Sequence, residues 1–245
     1  MIKFFRKIRQ NLLSQGKTGK YMKYAIGEIL LVVIGIIIAL QVNNWNQERI
    51  ERNEEQIIFK KFIDNLNQDK STIENVLNLN KNKLVTASKL HELSNNESID
   101  FEEIDVNQIS TGIRRPLIFT ERNKATIERI KDQEIRNQLI EYAFLEKRFE
   151  EVIIANNQFV RESVRSFLRK NKIFNLDDVI TKNKLEDVYA VKNSTLKIDI
   201  LKENLDGFEP IIFEVHMYSL AIIEDGNILL DKYEVLVANL QDLIK

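Results

Sequence analysis

Side chains suited to catalysis or metal binding are scarce in this sequence of 245 residues. It contains two histidines and no cysteine, which excludes disulfides, thiolate nucleophiles and cysteine-based metal sites. His91 precedes Glu92, and His216 comes two residues after Glu214, but neither spacing matches a metal-binding or catalytic motif. We therefore predict no catalytic residue, no metal site and no cofactor, and we expect that the protein is not an enzyme.

Two further patterns were considered as sites for small molecules. Gly16, Lys17 and Thr18 are similar to the end of a phosphate-binding loop, but that loop needs a glycine where this chain has Asn11. Carboxylates are numerous, at 37 Asp and Glu, and no single pair stands out as a general acid and base. The sequence therefore identifies no small-molecule substrate, and it predicts no binding of nucleic acid.

One acidic residue, Glu28, interrupts an apolar segment that spans residues 25–40. On a continuous helix this glutamate shares a face with three smaller side chains: Val32, Gly35 and Ala39. The last two form a small-xxx-small pair, which allows close helix approach in a membrane. Two interpretations stay open: the face mediates self-association of the span, or Glu28 extends to the membrane surface and the small residues are incidental.

The charge pattern around this segment is typical of a protein with one transmembrane helix. Seven basic residues and no acidic ones precede Glu28: Lys3, Arg6, Lys7, Arg9, Lys17, Lys20 and Lys23. Aromatic residues suited to the membrane interface flank the segment: Tyr21 and Tyr24 on one side, and Trp45 on the other. From Tyr24 to Trp45 a helix covers roughly 32 Å, enough to cross a bilayer.

This pattern predicts three parts: a cytoplasmic basic amphipathic tail at 1–23, a transmembrane helix at 24–45 and an extracytoplasmic helical domain at 46–245. The basic tail either lies on the cytoplasmic leaflet or only sets the orientation of the span. A cleaved signal peptide is disfavoured because no small-x-small cleavage site follows Ala39. A buried helix of a soluble protein is the other alternative. We predict a single pass through the inner membrane with a periplasmic carboxyl-terminal domain.

Only 7 glycines and 2 prolines occur in the chain, so we predict an all-α fold rather than a β-rich one. Three long helical patterns predict an extended antiparallel bundle with short connecting helices. The first pattern is a heptad seam: Phe59, Ile63, Leu66, Lys70, Ile73, Leu77, Asn80, Leu84, Ala87 and His91. The second runs from Asp132 to about Asn171, and the third covers residues 208–244.

Some boundaries of these helices stay open. The third pattern is either one helix that tolerates Asp225 and Gly226, which we prefer, or two shorter antiparallel helices. Short helices are predicted from Asp100 to Ile109 and from Thr120 to Ile130, each with its first residue as the cap. Seven aromatic residues are predicted in the core rather than in a ligand site: Tyr142, Phe149, Phe159, Phe167, Phe208, Phe213 and Tyr218.

The amino-terminal residues 24–29, 33–36 and 39–46 resemble the signature of an uncharacterised family of single-pass membrane proteins from Bacteroidota-type bacteria. Residues 125–139 also resemble the middle region of that family. There a small-residue turn often precedes the second helix, whereas this chain has Lys131 and Asp132. The resemblance implies a membrane topology and a high helical content, and it implies no activity.

Two classes of function follow from these features. The first is a membrane-anchored structural or protein-interaction module, whose partner is a second copy of the chain or another membrane or periplasmic protein. The alternative is a sensor or regulatory subunit, which couples a periplasmic signal through the span to a partner. We prefer the first because the predicted cytoplasmic tail is too short to contain an output domain.

Overall fold

The computed structural model describes residues 18–94, 106–113, 117–174 and 196–244. The helices are α1 (Thr18–Ser94), α2 (Phe119–Ile127), α3 (Gln133–Phe159), α4 (Arg165–Lys170), α5 (Ile198–Glu203) and α6 (Leu205–Ile244). A 3₁₀ turn, Val106–Ser110, precedes α2, and a π turn, Val160–Val164, joins α3 to α4. The described residues contain no strand, only an isolated bridge between Phe174 and Leu196. The all-α prediction is confirmed.

The first helix, α1, is 77 residues long and contains one segment apolar enough to cross a membrane. Within the described part of the chain, none of that apolar stretch is buried. By internal contacts the chain forms two compact units, Met1–Ile57 and Ile58–Lys245, and α1 contributes to both. The predicted division into tail, span and extracytoplasmic domain remains a prediction.

The second long helical pattern begins where the sequence predicts. The Asp132 carboxylate accepts a hydrogen bond from the backbone N–H of Ile135 at 3.0 Å, which caps α3. The helix continues through the π turn into α4 and ends at Lys170. Its predicted end near Asn171 is therefore confirmed.

The third pattern forms one helix, α6, so the preferred interpretation of residues 208–244 is confirmed. Gly226 is buried in the middle of α6. A Cβ at this position would lie 2.5 Å from Cδ2 of Leu77 and 3.0 Å from Cε2 of Phe149. The glycine is thus a point of close approach between three helices and not a turn.

The two short predicted helices differ from the structure. Thr120 is not a cap: α2 begins one residue earlier, and Ile118 at its N-cap makes no side-chain hydrogen bond to the helix. The predicted helix from Asp100 lies largely outside the described residues, and its last part is the 3₁₀ turn Val106–Ser110. Both differences arise because side chains distant in sequence hold this part of the chain, as described below.

Two apolar clusters form the core of the second unit. The larger contains the Phe59–Leu77 part of α1, α2, the first part of α3 and the last part of α6. The smaller joins Ala87 and Leu90 of α1 to residues that include Val160, Leu168 and Phe208. In the larger cluster, side chains of the three long helices therefore pack together.

The buried seam of α1 keeps six of the predicted positions and differs at the others; the six are Phe59, Leu66, Ile73, Leu77, Asn80 and Ala87. The residues buried at alternating spacings of three and four are Phe59, Phe62, Leu66, Asp69, Ile73, Val76, Asn80, Lys83, Ala87 and Leu90. Ile63, Lys70 and Leu84 are only partly buried, and His91 is exposed. Ile63 nevertheless packs against the larger cluster, as predicted. The prediction was wrong at Lys70, Leu84 and His91, because an apolar pattern disfavours Asp69 and Lys83, which the tertiary structure buries and hydrogen-bonds.

Candidate functional site

The start of α2 is held by carboxylates from two other helices. Asp69 of α1 accepts hydrogen bonds from the backbone N–H groups of Ile118, at 2.9 Å, and Phe119, at 2.8 Å. Glu146 of α3 accepts from the backbone N–H of Thr120 at 3.2 Å and from the Thr120 hydroxyl. A helix has unpaired N–H groups at its start, and these carboxylates satisfy them in place of a local cap.

The chain just before α2 is held in the same way, and we call residues 106–113 and 117–118 the connector. The backbone N–H of Leu117 donates to Glu150 at 3.2 Å. Asn157 forms two hydrogen bonds with Ile113, accepting from its N–H and donating to its carbonyl oxygen, both at 2.8 Å. Amide and carboxylate groups of α3 thus take the place of the backbone partners that a strand or helix would supply.

Two cations bind carbonyl groups at the other end of the connector. The buried Lys83 Nζ donates to the carbonyl oxygen of Thr111 at 2.7 Å, and Arg165 Nε donates to that of Ser110 at 2.9 Å. Burial, together with the nearby charge of Arg165, lowers the pKa of Lys83 to about 8. The carbonyl groups of Ser110 and Thr111 therefore face cations, the N–H groups of Leu117 and Ile118 face carboxylates, and Ile113 binds the Asn157 amide.

Burial dominates the electrostatics of this carboxylate cluster. It raises the pKa of Glu146 to about 7, although the hydrogen bonds from Thr120 oppose the shift. Burial also raises the pKa of Asp69 and of Glu150. The pKa of Tyr142 is raised too, first by burial and then by the charge of Glu146.

A carboxyl with a pKa near 7 is a candidate general acid or base. Here, however, the oxygens of Asp69 and Glu146 accept hydrogen bonds from the backbone of residues 118–120. That arrangement positions a segment of the chain and presents no reactive group to a substrate. Within the described residues, no group of three or more His, Asp or Glu side chains is placed to hold a metal ion.

A second feature, on the surface of α3 and α6, is an apolar face. Eight large hydrophobic side chains, each more than a third exposed, form it: Ile140, Phe144, Ile154, Phe213, Met217, Leu220, Ile228 and Val235. Phe144 is 67% exposed and Phe213 61% exposed. The placement of Phe213 in the core was therefore wrong. Scattered apolar residues are normal on a surface, but a set of this size on one side of two neighbouring helices indicates a binding surface.

The helical geometry shows that these residues belong to one face. At about 100° per residue, the members on α3 span about 80° of the helix circumference, and so do those on α6. The two helices meet along an edge marked by the ion pair of Arg148 with Asp225 and by that of Lys232 with Glu141. On both helices the apolar residues lie beside this edge and away from the side that contacts Leu77 of α1.

The structure places the predicted residues of the span as follows. Val32, Gly35 and Ala39 are exposed within the first unit, and Glu28 is partly exposed. Trp45 is exposed, as is Lys23. The basic residues Lys3, Arg6, Lys7, Arg9 and Lys17 and the side chains of Lys20, Tyr21 and Tyr24 lie outside what the structure describes. Self-association of this face, interface anchoring and the role of the tail stay predictions.

The two histidines are not brought together by the fold. His91 Nδ1 lies 3.7 Å from a carboxylate oxygen of Glu209, with both side chains more than half exposed. His216 lies on α6 and is partly buried. The carboxylate contact described for His91 is thus with a residue far away in the sequence.

Sequence reasoning missed Asp69, Lys83 and Glu146. A signal for Asp69 and Lys83 does exist: they continue the spacing of three and four that runs through Phe62, Leu66 and Ile73. The pattern alone could not decide that charged residues occupy the interior, because their hydrogen-bond partners come from the connector, which is distant in sequence.

Comparison with known proteins gives a partial match. Residues 28–120 match the model of a family of unknown function, DUF6090. The matched region begins at Glu28, contains Asp69 and Lys83, and ends at Thr120, so it includes α1 side chains and the connector groups that they bind. No curated protein and no solved structure matches the chain.

Proposed function

We propose that this chain is a single-pass inner-membrane protein whose extracytoplasmic part acts as a structural or protein-interaction module. In this proposal, residues 24–45 span the membrane, the basic residues 1–23 stay in the cytoplasm and residues 46–245 lie in the periplasm. Support comes from the apolar segment of α1 and from the seven basic residues before Glu28.

We infer that the long helices form an extended antiparallel bundle. The contacts between α3 and α6 follow opposite residue orders: Gln138 binds Asn239, and Arg148 binds Asp225. Gly226 of α6 approaches Leu77 of α1, and the larger cluster of the core takes side chains from all three long helices. The smaller cluster joins α1 and α6 to the π turn and α4, which continue α3. These contacts support a bundle stabilised by a shared interior.

The observation that carries the interaction role is the apolar face of α3 and α6. Exposed apolar side chains promote association, and polar residues at these positions would make a monomeric protein more soluble. The apolar face therefore favours a protein that binds a partner. The buried carboxyl groups, the other candidate site, bind the connector and are therefore used within the fold. The proposal accordingly assigns no enzymatic activity, cofactor or small-molecule substrate.

Site-specific photo-crosslinking in native membranes tests this proposal. A photoreactive phenylalanine analogue replaces Phe144 or Phe213 in the full-length chain, and Val85, which is 57% exposed on α1, provides the control position. We expect protein adducts from both positions of the apolar face and none from position 85. Equal yields at the three positions, or no adducts at all, would contradict an interaction role for this face.

A further inference from the structure

We propose that the apolar face is the contact surface of a homodimer, in which a two-fold axis runs parallel to α3 and α6. This inference rests on the proposed function, because it names the partner that the face binds: a second copy of this chain. In such a dimer, α3 of each copy packs on α6 of the other. The interface is isologous, so the same eight side chains bury one another.

The register of α3 and α6 supports this geometry. Arg148 Nε donates to Asp225 at 3.3 Å, and seven residues along each helix Lys232 binds Glu141, so Arg148 and Asp225 lie at similar heights. The two helices run in opposite directions. Phe144, four residues before Arg148, therefore lies near the height of Leu229, four residues after Asp225 and next to Ile228. A two-fold axis parallel to the helices preserves height, so Phe144 of one copy meets Ile228 of the partner subunit.

The other apolar residues match by the same reasoning. Ile154 comes six residues after Arg148 and therefore lies at the height of Ser219, beside Leu220. Ile140 comes eight residues before Arg148, two residues from the height of Val235, or about 3 Å along the helix. Each exposed apolar residue of α3 thus faces an exposed apolar residue of α6 in the partner subunit.

The charges on the face also complement each other. Lys147 lies within about 3 Å, along the helix axis, of the height of Glu224, and both side chains are exposed. In its own copy Lys147 Nζ is 3.6 Å from Glu151. In the dimer this lysine lies between Glu151 of its own copy and Glu224 of the partner subunit. Apolar contacts then lie on both sides of this group of opposite charges along the helix axis. Such an arrangement fixes the register of the two copies.

The extent of the face is compatible with a stable dimer. Eight large apolar side chains, each more than a third exposed, approach the area of about 800 Å² per partner that is typical of specific interfaces. Two of them are phenylalanines, a residue type enriched in interface cores. A homodimer also needs no further component, since both copies share one membrane in the proposed topology.

Disulfide trapping between two differently tagged full-length copies tests this dimer. The chain contains no cysteine, so one copy carries Phe144→Cys, the other carries Ile228→Cys, and both are expressed together and oxidised in native membranes. We expect a mixed disulfide dimer in this pair. The matched control pairs Phe144→Cys with Phe213→Cys, which lies on the same face but more than 20 Å away in height by the rise of a helix, and it should give at least tenfold less product.

Charge reversal provides a second test, which changes residues other than the introduced cysteines and is followed by the yield of the same mixed disulfide. Lys147→Glu in both copies should lower the yield of the mixed disulfide at least threefold, and adding Glu224→Lys should restore it. Folding is followed by the thermal unfolding midpoint of each variant, which these exposed substitutions should leave within a few degrees. Failure of the double reversal to restore the yield would contradict the proposed register.

The outcomes separate this inference from the function on which it rests. No mixed disulfide, together with photo-crosslinks from position 144 to a different protein, would overturn the homodimer and leave the interaction role intact. A disulfide that joins Phe144→Cys to itself across two copies, in preference to Ile228→Cys, would overturn the parallel axis. No adduct of either kind would overturn both proposals.

Discussion

At the scale of single residues, the structure departs most from expectation in its buried charges. Asp69, Lys83 and Glu146 are each at most 2% exposed. All three bind backbone groups of the connector or of the first residues of α2. Burying a charge without partners is strongly unfavourable, so these side chains and the connector depend on one another. This mutual dependence gives the fold a dependence on pH.

Stability should fall as the pH rises through neutrality, and Glu146 is the main cause. Burial raises its pKa from 4.5 to about 7, so between these values the folded protein holds a proton that the unfolded chain has released. The contribution is complete below pH 4.5 and is lost as the pH passes 7, a change of about 3 kcal/mol. Asp69 and Glu150, with pKa values shifted in the same direction, add to it.

The measurement is the thermal unfolding midpoint of the full-length chain in mild detergent from pH 5 to pH 8. We expect the midpoint to decrease over this interval and the Glu146→Gln variant to lose most of the decrease, because the amide keeps an acceptor but does not titrate. Glu74→Gln, at an exposed position of α1, serves as the control and should behave like the unmodified chain. A Glu146→Gln profile parallel to that of the unmodified chain would refute the assignment.

At the scale of elements, close approach decides where the long helices pack. Gly226 costs α6 about 1 kcal/mol of helix propensity relative to alanine, yet α6 crosses it without a break. The reason is the space between α6, α1 and α3, where a methyl group would overlap Leu77 and Phe149. Packing against two neighbouring helices thus outweighs the local preference of Asp225 and Gly226 for a turn.

Gly226→Ala should therefore destabilise the protein, although alanine is the better helix former. Overpacking of a core costs about 1–3 kcal/mol and exceeds the gain in propensity of about 1 kcal/mol, so the unfolding midpoint should fall by about 2–4 °C. Gly207→Ala on the same helix is the matched control. Its Cβ would lie 3.4 Å from the Phe167 ring, an ordinary contact, and its midpoint should stay level or rise. Equal shifts in both variants would argue against close approach as the role of Gly226.

At the scale of the whole molecule, the proposed role depends on where each part lies relative to the membrane. The apolar segment of α1 can span a bilayer, and the basic residues before it predict the orientation. If this orientation is correct, every residue of the apolar face is delivered to the periplasm. An interaction partner, whether a second copy or another protein, must then be found there.

Labelling of introduced cysteines tests this orientation. The chain has no cysteine of its own, so any label reports on the introduced position. In intact spheroplasts, a maleimide that does not cross membranes should label Glu74→Cys, an exposed position on α1. The same reagent should label Lys7→Cys only after the membrane is permeabilised. The reverse pattern would place the apolar face in the cytoplasm and overturn the proposed location.

How much of this protein the sequence predicts depends on whether a feature is local. The all-α class, the apolar segment near the amino terminus, the start of α3 near Asp132 and the continuity of α6 all follow from composition and periodicity. The tertiary structure alone decided that Asp69 and Lys83 enter the interior, that α2 is capped by Asp69 and Glu146, and that Phe213 faces outward. Each of these features depends on groups that are far apart in the chain. A helical pattern shows the spacing of apolar residues, but it does not show which distant backbone groups will form hydrogen bonds with a buried charged side chain.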